Sequence, residues 1–368
     1  MNSVKNIYDV FAINGKFEKA EPFGDGHIND TYLVSCTDNG SKNHYIFQRI
    51  NKNVFNRSDL LMSNMVCVCD FMCSEVSMRG GDVQREVLSI ARTKDGKEFH
   101  IDDEGYAWRV LNYVSNSKSY TVATSPSQIY SAARAFGKFQ RMLQKFPVSD
   151  IVETIPDFHN TPKRFDALIK AAERDEFSRL DGVKAEYEFV LERKDFCDTL
   201  EKLKNEGKLP LKVTHNDTKL NNVLFDKDTD EAVCVVDLDT VMPGLSVNDF
   251  GDFVRSSTSN AKEDEADLSR VNFDLERYEL CVKGFLEGAG DTLTETELEM
   301  LPIGAMMMTL ECGMRFLTDY LSGDVYFKTH RENQNLDRAR THFKMFSDME
   351  KSYTKMCEIV KKYSQKGD

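Results

Sequence analysis

Three polar residues spaced as His215-x-Asp217-x-x-x-x-Asn222 lead into a short apolar run, Asn222-Val-Leu-Phe225, and Asp237 closes the next run, Ala232-Val-Cys-Val-Val236. Phosphoryl transfer needs this set of groups: a carboxylate to take the proton of an attacking hydroxyl and aim it, and oxygen donors to hold Mg²⁺ on nucleotide phosphates. Asp217 is expected to be the catalytic base, and Asn222 with Asp237 the metal ligands. Taken singly, Asp and Asn at strand ends are ordinary turn formers, and His-x-Asp alone carries nothing. The three-part spacing across a hairpin makes the functional reading. His215 reads as a prop for the loop backbone.

A second group of residues, Phe23-Gly-Asp-Gly-His-Ile-Asn-Asp-Thr31, stands just before the first strong strand signal. Glycines here let backbone N–H groups approach a polyphosphate, so Gly24 and Gly26 are expected to cover ATP. A Gly-x-Gly before a strand is more often only a tight turn. It gains weight from the catalytic pattern downstream.

The elements that must position these groups divide at about residue 114. Before it, Thr31-Tyr-Leu-Val-Ser35 and Tyr45-Ile-Phe-Gln-Arg-Ile50 are β-rich runs around Asn39-Gly40, a dipeptide suited to a hairpin turn. A second hairpin is expected from Phe99-His-Ile101 and Tyr106–Leu111 around Gly105, and a helix over 58–75. After it, helical periodicity dominates at 163–207, 264–290, 294–321 and 334–363, interrupted by the 211–241 hairpin. Ser125-Pro126-Ser127-Gln128 predicts a helix start with a capping box. The expectation is an α+β fold: a β-rich lobe over 1–114 that binds nucleotide, and a mainly helical lobe over 115–368 with the catalytic and acceptor sites.

A length of 368 residues fits two lobes, and a net charge of −13 argues against nucleic acid or an anionic membrane as partner. Nine cysteines without a C-x-x-C pair suggest a reducing, cytoplasmic setting, with Cys67, Cys69 and Cys73 as core residues. The N-terminus shows no leader pattern, and no run was expected to reach the ~20 apolar residues that span a bilayer.

From Phe23 to Lys344 the chain resembles the aminoglycoside phosphotransferase and choline kinase superfamily, of the bilobal protein-kinase-like fold, and within it the N-acetylhexosamine 1-kinases. The resemblance rests on Gly26-His-Ile-Asn29, Phe47-Gln-Arg-Ile-Asn51, Ile155-Pro-Asp-Phe-His-Asn-Thr-Pro162, His215–Asn222, Asp237–Gly244, Asp249-Phe-Gly-Asp252 and Asn335–Arg340. It implies an ATP-dependent kinase acting on the C1 hydroxyl of N-acetylglucosamine or N-acetylgalactosamine, with Mg²⁺ as cofactor. It also implies a structural Asp249 bracing the catalytic loop, adenine at the hinge Leu111, Asn112, Tyr113 and Val114, and sugar contacts from His27, Arg315 and Tyr326.

One position departs from the superfamily. Where a third-strand Lys or Arg meets the nucleotide phosphates, register places Gln48, and strand alternation sends Arg49 to the other side. The phosphate cation is therefore unassigned. Gln48 also keeps a non-catalytic scaffold among the alternatives, beside a same-fold kinase for choline, homoserine or an aminoglycoside. Arg315 and His27 suit a neutral, hydroxyl-rich acceptor better than an ammonium.

Overall fold

A computed structural model describes residues 2–24, 28–55 and 57–365. In chain order its strands are β1 (Lys16–Pro22), β2 (Asp30–Asp38), β3 (Ser41–Arg49), β4 (His100–Ile101), β5 (Ala107–Asn112), β6 (Ser117–Lys118), β7 (Lys212–Thr214), β8 (Val223–Asp226), β9 (Ala232–Val235) and β10 (Met242–Gly244). The helices are α1 (Asn2–Tyr8), α2 (Ser58–Met78), α3 (Val83–Glu86), α4 (Pro126–Met142), α5 (Thr161–Arg174), α6 (Lys184–Leu191), α7 (Lys194–Cys197), α8 (Thr199–Asn205), α9 (Ser246–Ser257), α10 (Leu275–Ala289), α11 (Glu295–Leu321) and α12 (Gln334–Ser364).

The chain folds into two compact units, each built from separate stretches. The first contains residues 1–118, 145–154 and 223–242. Its antiparallel sheet runs β1-β2-β3-β5-β4, with Asn39 and Gly40 at φ 49° and 80° forming the tight turn between β2 and β3. Only residues that tolerate positive φ fit that turn, and the Asn-Gly pair supplies them. One sheet face packs Phe47, Val34, Trp108 and Val110 against Val4, Ile7, Tyr8 and Phe11.

Helix α2 is long and apolar enough, by length and composition, to cross a membrane, contrary to the expectation that no run would be. It buries Leu61, Met62, Met65, Val68, Cys69, Met72 and Val76 inside the protein. Hairpin β8–β9 belongs to this unit, because β8 extends β6 into a three-stranded sheet. Arg85 reinforces the join with an ion pair to Asp226.

The second unit, residues 119–144, 155–222 and 243–368, holds the long helices. Helix α4 begins at Pro126 as expected, but Ser125 makes no side-chain cap hydrogen bond. Gln128 Oε1 instead accepts from Thr124 N at 2.8 Å, one residue further back than a capping box requires. A full capping box forms at Thr294 and Glu297 at the start of α11, where Lys212 Nζ also reaches Glu297 at 2.8 Å.

Helices α9 and α11 cross at two glycines. A Cβ on Gly251 would lie 2.2 Å from the Gly304 carbonyl oxygen, and one on Gly304 would lie 2.3 Å from that of Val247. The crossing sets the height of Asp249 and Asp252, both on α9. Gly251→Ala is therefore expected to destabilise the protein by ~1–3 kcal/mol through overpacking, read as a lowered melting temperature. An unchanged melting temperature would show that the crossing has slack.

Candidate active site

In the helical unit, the loop between β7 and β8 is held by one buried carboxylate. Asp249 Oδ1 accepts from Asn216 N at 2.8 Å, and Oδ2 accepts from His215 N and Gln140 Nε2, both at 2.9 Å. Thr218 Oγ1 donates to the Asp249 carbonyl at 2.5 Å. Burial pushes the Asp249 carboxyl up from its ordinary value, while His215 and the N–H donors oppose that shift. His215 itself is buried, stacks edge-on against Phe136 and Phe139, and accepts at Nδ1 from Asp217 N at 3.3 Å. These contacts make it a prop for the loop.

Asn216 adopts φ 63°, a left-handed conformation that Asn tolerates better than most residues. Its carbonyl accepts from His159 Nε2 at 3.0 Å, and His159 Nδ1 meets Glu311 Oε1 at 2.8 Å. A carbonyl and a carboxylate can only accept, so both ring nitrogens must carry protons, and His159 is an imidazolium. Burial works against that charge, but hydrogen bonding to Glu311 and its negative charge outweigh it and raise the His159 pKa. Thr161 Oγ1 donates to the second Glu311 oxygen at 2.6 Å.

This framework sets out the expected base. Asp217 Oδ1 lies 2.7 Å from Lys219 Nζ, and its Oδ2 accepts from Asn222 Nδ2 at 3.1 Å. Asn222 Nδ2 also donates to the Asp217 carbonyl at 2.8 Å. The negative charge of Asp217, followed by that of Asp252, raises the Lys219 pKa against the cost of burial. Lys219 is a fixed cation beside the base and was given no role in the sequence.

Arg315 and Tyr326 also come together in this unit. The Arg315 guanidinium lies 5.2 Å from the Phe158 ring, 5.6 Å from Phe327 and 6.0 Å from Tyr326. Burial opposes its charge, but Cys312 and Tyr326 raise its pKa. Asp319 fixes the segment carrying Tyr326: its carboxylate accepts from the N–H of Val325, Tyr326 and Phe327 at 3.0, 2.8 and 2.9 Å.

The first unit carries the other expected residues. Asp237 lies two residues beyond β9 at φ 62° and is exposed, whereas Asp239, two residues on, is buried. Asp239 Oδ1 lies 2.5 Å from Arg109 Nη1 as an ion pair, and Oδ2 accepts from Asn29 Nδ2 at 2.6 Å. Arg109 is 1% exposed, donates through Nε to Gln48 Oε1 at 2.9 Å, and faces Gln48 across the sheet. A buried cation therefore stands beside Gln48 on the neighbouring strand, committed to Asp239. Arg49 points away to Asp30 and Tyr106. A single Arg inside the apolar run Ala107-Trp-Arg-Val-Leu-Asn112 was the sequence signal for this pair.

Gly24 has φ 76°, and a Cβ built on it would meet no atom of the described residues within 4 Å, as at Gly40 and Gly96. Leu111 and Val114 are buried, and Tyr113 meets Phe23 and His44 edge-on. The Asn112 side chain is committed elsewhere: it accepts from Ser89 N at 2.8 Å and donates to the Gln84 and Val87 carbonyls, both at 3.2 Å. Gly26 and His27 lie outside the described residues.

A sequence model of the phosphotransferase enzyme family matches residues 19–281. An aminoglycoside phosphotransferase from Alicyclobacillus acidocaldarius shares the fold with a TM-score of 0.63 at 12% identity, over 97% of this chain and 96% of that one. A choline kinase from Cryptosporidium parvum superposes with a TM-score of 0.56 at 13% identity, over 98% and 99% of the two chains. A choline/ethanolamine kinase family protein from Mesorhizobium loti gives 0.52 at 16% identity, over 98% and 100%.

Two predictions follow from the buried ion pairs. Arg109→Met strands the Asp239 carboxylate and should cost ~3–5 kcal/mol, while Arg109→Met with Asp239→Leu should recover most of that loss. Equal instability of the single and double variants in denaturant unfolding would refute the pairing. For His159 the raised pKa means that the ion pair contributes fully below its ordinary value of ~6.5 and is lost as pH rises through the folded-state value. An NMR titration of the ring protons should give a midpoint above that ordinary value, and one at or below it would remove the imidazolium.

Proposed function

We propose, for a chain that belongs to the phosphotransferase enzyme family, that it is an ATP-dependent anomeric kinase placing phosphate on the C1 hydroxyl of an N-acetylhexosamine. The observation that carries this reading is the Arg315 guanidinium set among three aromatic rings beside carboxylates that are already engaged. Glu311 is held by His159 and Thr161, and Asp319 by backbone N–H groups. An ammonium such as choline wants free carboxylates or an aromatic cage without a resident cation. A neutral sugar wants donors for its hydroxyl and acetyl oxygens and apolar faces for its C–H groups, which Arg315 with Phe158, Tyr326 and Phe327 supplies.

In this reading Asp217 takes the proton of the C1 hydroxyl through the oxygen nearest the acceptor. Lys219, 2.7 Å away, keeps positive charge beside the base and the incoming phosphoryl oxygens. Asn222 Oδ1 in the helical unit and the exposed Asp237 carboxylate in the sheet-bearing unit are each oxygen donors of the kind Mg²⁺ takes, with Asp239 engaged by Arg109. Bound there, Mg²⁺ would neutralise charge on the nucleotide phosphates. Gly24 and the main chain of Leu111, Asn112, Tyr113 and Val114 would receive ATP, and Gly26 with His27 belongs to the same proposal. So does the division into a nucleotide lobe over 1–114 and an acceptor lobe over 115–368.

The test is an ATP-consumption panel of N-acetylglucosamine, N-acetylgalactosamine, choline, homoserine and aminoglycosides. The expected product is an acid-labile, alkali-stable, non-reducing sugar phosphate. Preference for choline, or a product that still reduces, would overturn the reading. Asp217→Asn should lower turnover ~10²-fold or more, the scale of losing a positioned base, with ATP affinity retained. Arg315→Met should lower kcat/KM for the sugar about ten- to a hundredfold, leaving ATP affinity unchanged.

A further inference from the structure

Helix α11 carries Cys312 one turn before Arg315, and phosphoryl transfer gives this thiol no task. Its sulfur, a ring nitrogen of His342 and a carboxylate oxygen of Glu263 all lie within 4.8 Å of one another. His342 Nδ1 sits 2.7 Å from the Arg338 carbonyl, which can only accept, so Nδ1 is protonated and Nε2 faces the cluster. Arg255 enters from α9, anchored by two N–H groups on Asp252 Oδ1 at 2.7 and 2.8 Å. Its Nη1 lies 3.2 Å from both His342 Nε2 and Glu263 Oε1.

Thiol, imidazole and carboxylate are a reasonable ligand set for a soft divalent metal. Here the cation position is already filled by a buried guanidinium, and a metal ion beside it would be strongly repelled. What the resident cation favours is an anion on sulfur. Burial alone would push the Cys312 thiol up, but Arg255 and His342 outweigh it and hold the thiol below its ordinary range, with Glu263 in opposition. Cys197 and Cys234 show the contrast, since burial pushes both up to about 12. Cys312 is also only partly buried, unlike Cys197 and Cys234.

We propose that Cys312 is a reactive thiolate paired with His342, and that hydroperoxides oxidise it to a sulfenic acid that blocks the acceptor site beside Arg315. The sulfur attacks one peroxide oxygen, an S–O bond forms and the O–O bond breaks. Sulfur gives up two electrons, the peroxide is reduced by them, and the leaving hydroxide takes up the proton that the Cys312 thiol released and departs as water. The reactivity stands on the Cys312, His342 and Arg255 geometry alone; the blocking of the acceptor rests on the function proposed above.

The test uses the intact chain with limiting iodoacetamide at neutral pH, followed by peptide mass spectrometry. Cys312 should be labelled at least about tenfold faster than the other partly buried cysteines, Cys67, Cys73 and Cys357, because only the thiolate reacts. Its rate should level off below pH 9. Hydrogen peroxide should then give a dimedone-trappable Cys312 and an inactivation that dithiothreitol reverses, while Cys312→Ser resists it. Even labelling of the four cysteines, or a Cys312 rate still climbing above pH 9, would overturn the proposal. Added N-acetylglucosamine should slow the labelling. Fast labelling with no protection by sugar upholds the thiolate and rejects the acceptor assignment of Arg315.

Discussion

The candidate catalytic loop, residues 215–222, depends on one buried carboxylate. Asp249 gathers the N–H groups of His215 and Asn216 and the amide of Gln140, so the backbone just before Asp217 has its donors satisfied from below. His159 satisfies the Asn216 carbonyl from the other side. A residue at φ 63° is thereby pinned at both its N–H and its C=O, and the following side chain has little freedom in where it points. Helix α9 supplies Asp249, and its close approach to α11 through Gly251 and Gly304 links the brace to the helix that carries Glu311, Cys312 and Arg315.

The sheet-bearing unit also buries a carboxylate, but gives it a cation as partner. Asp239 is buried between Arg109 and Asn29, leaving Asp237 as the exposed carboxylate of Asp237-Leu-Asp239. A buried carboxylate needs hydrogen-bond donors or a charged partner to offset its burial, and Asp239 has one of each. Gln48 and Arg109 are cross-strand partners, so both lie on the same side of the sheet. Gln48 remains in the chain of contacts as a relay, accepting from Arg109 and donating to Thr31 at 3.1 Å.

Local signals were legible in the sequence. The Asn39-Gly40 turn, the strands around it, the α11 and α12 spans and the His215-x-Asp217-x-x-x-x-Asn222 spacing all depend on residues close together in the chain, where backbone sterics and side-chain reach decide the outcome. The Asp217–Asn222 contact follows from that spacing. Pairings such as Arg109 with Asp239 and His159 with Glu311 join distant segments, and no periodicity encodes a partner. The grouping of residues 223–242 with the N-terminal sheet was hidden for the same reason, since it comes from the pairing of β6 with β8. At Ser125 the pattern of a capping box was present, but Gln128 Oε1 accepts from the Thr124 N–H instead.

The most direct test of this account is the turnover number of a folded Asp249→Asn variant. An amide keeps the size of the side chain but presents an NH₂ group to one of the loop's N–H donors, so one side of the brace becomes a donor facing a donor. The account predicts a fall in kcat of about a hundredfold or more, the scale on which a misplaced catalytic group lowers the rate. Turnover within about twofold of the parent enzyme would contradict the claim that Asp249 sets the aim of Asp217.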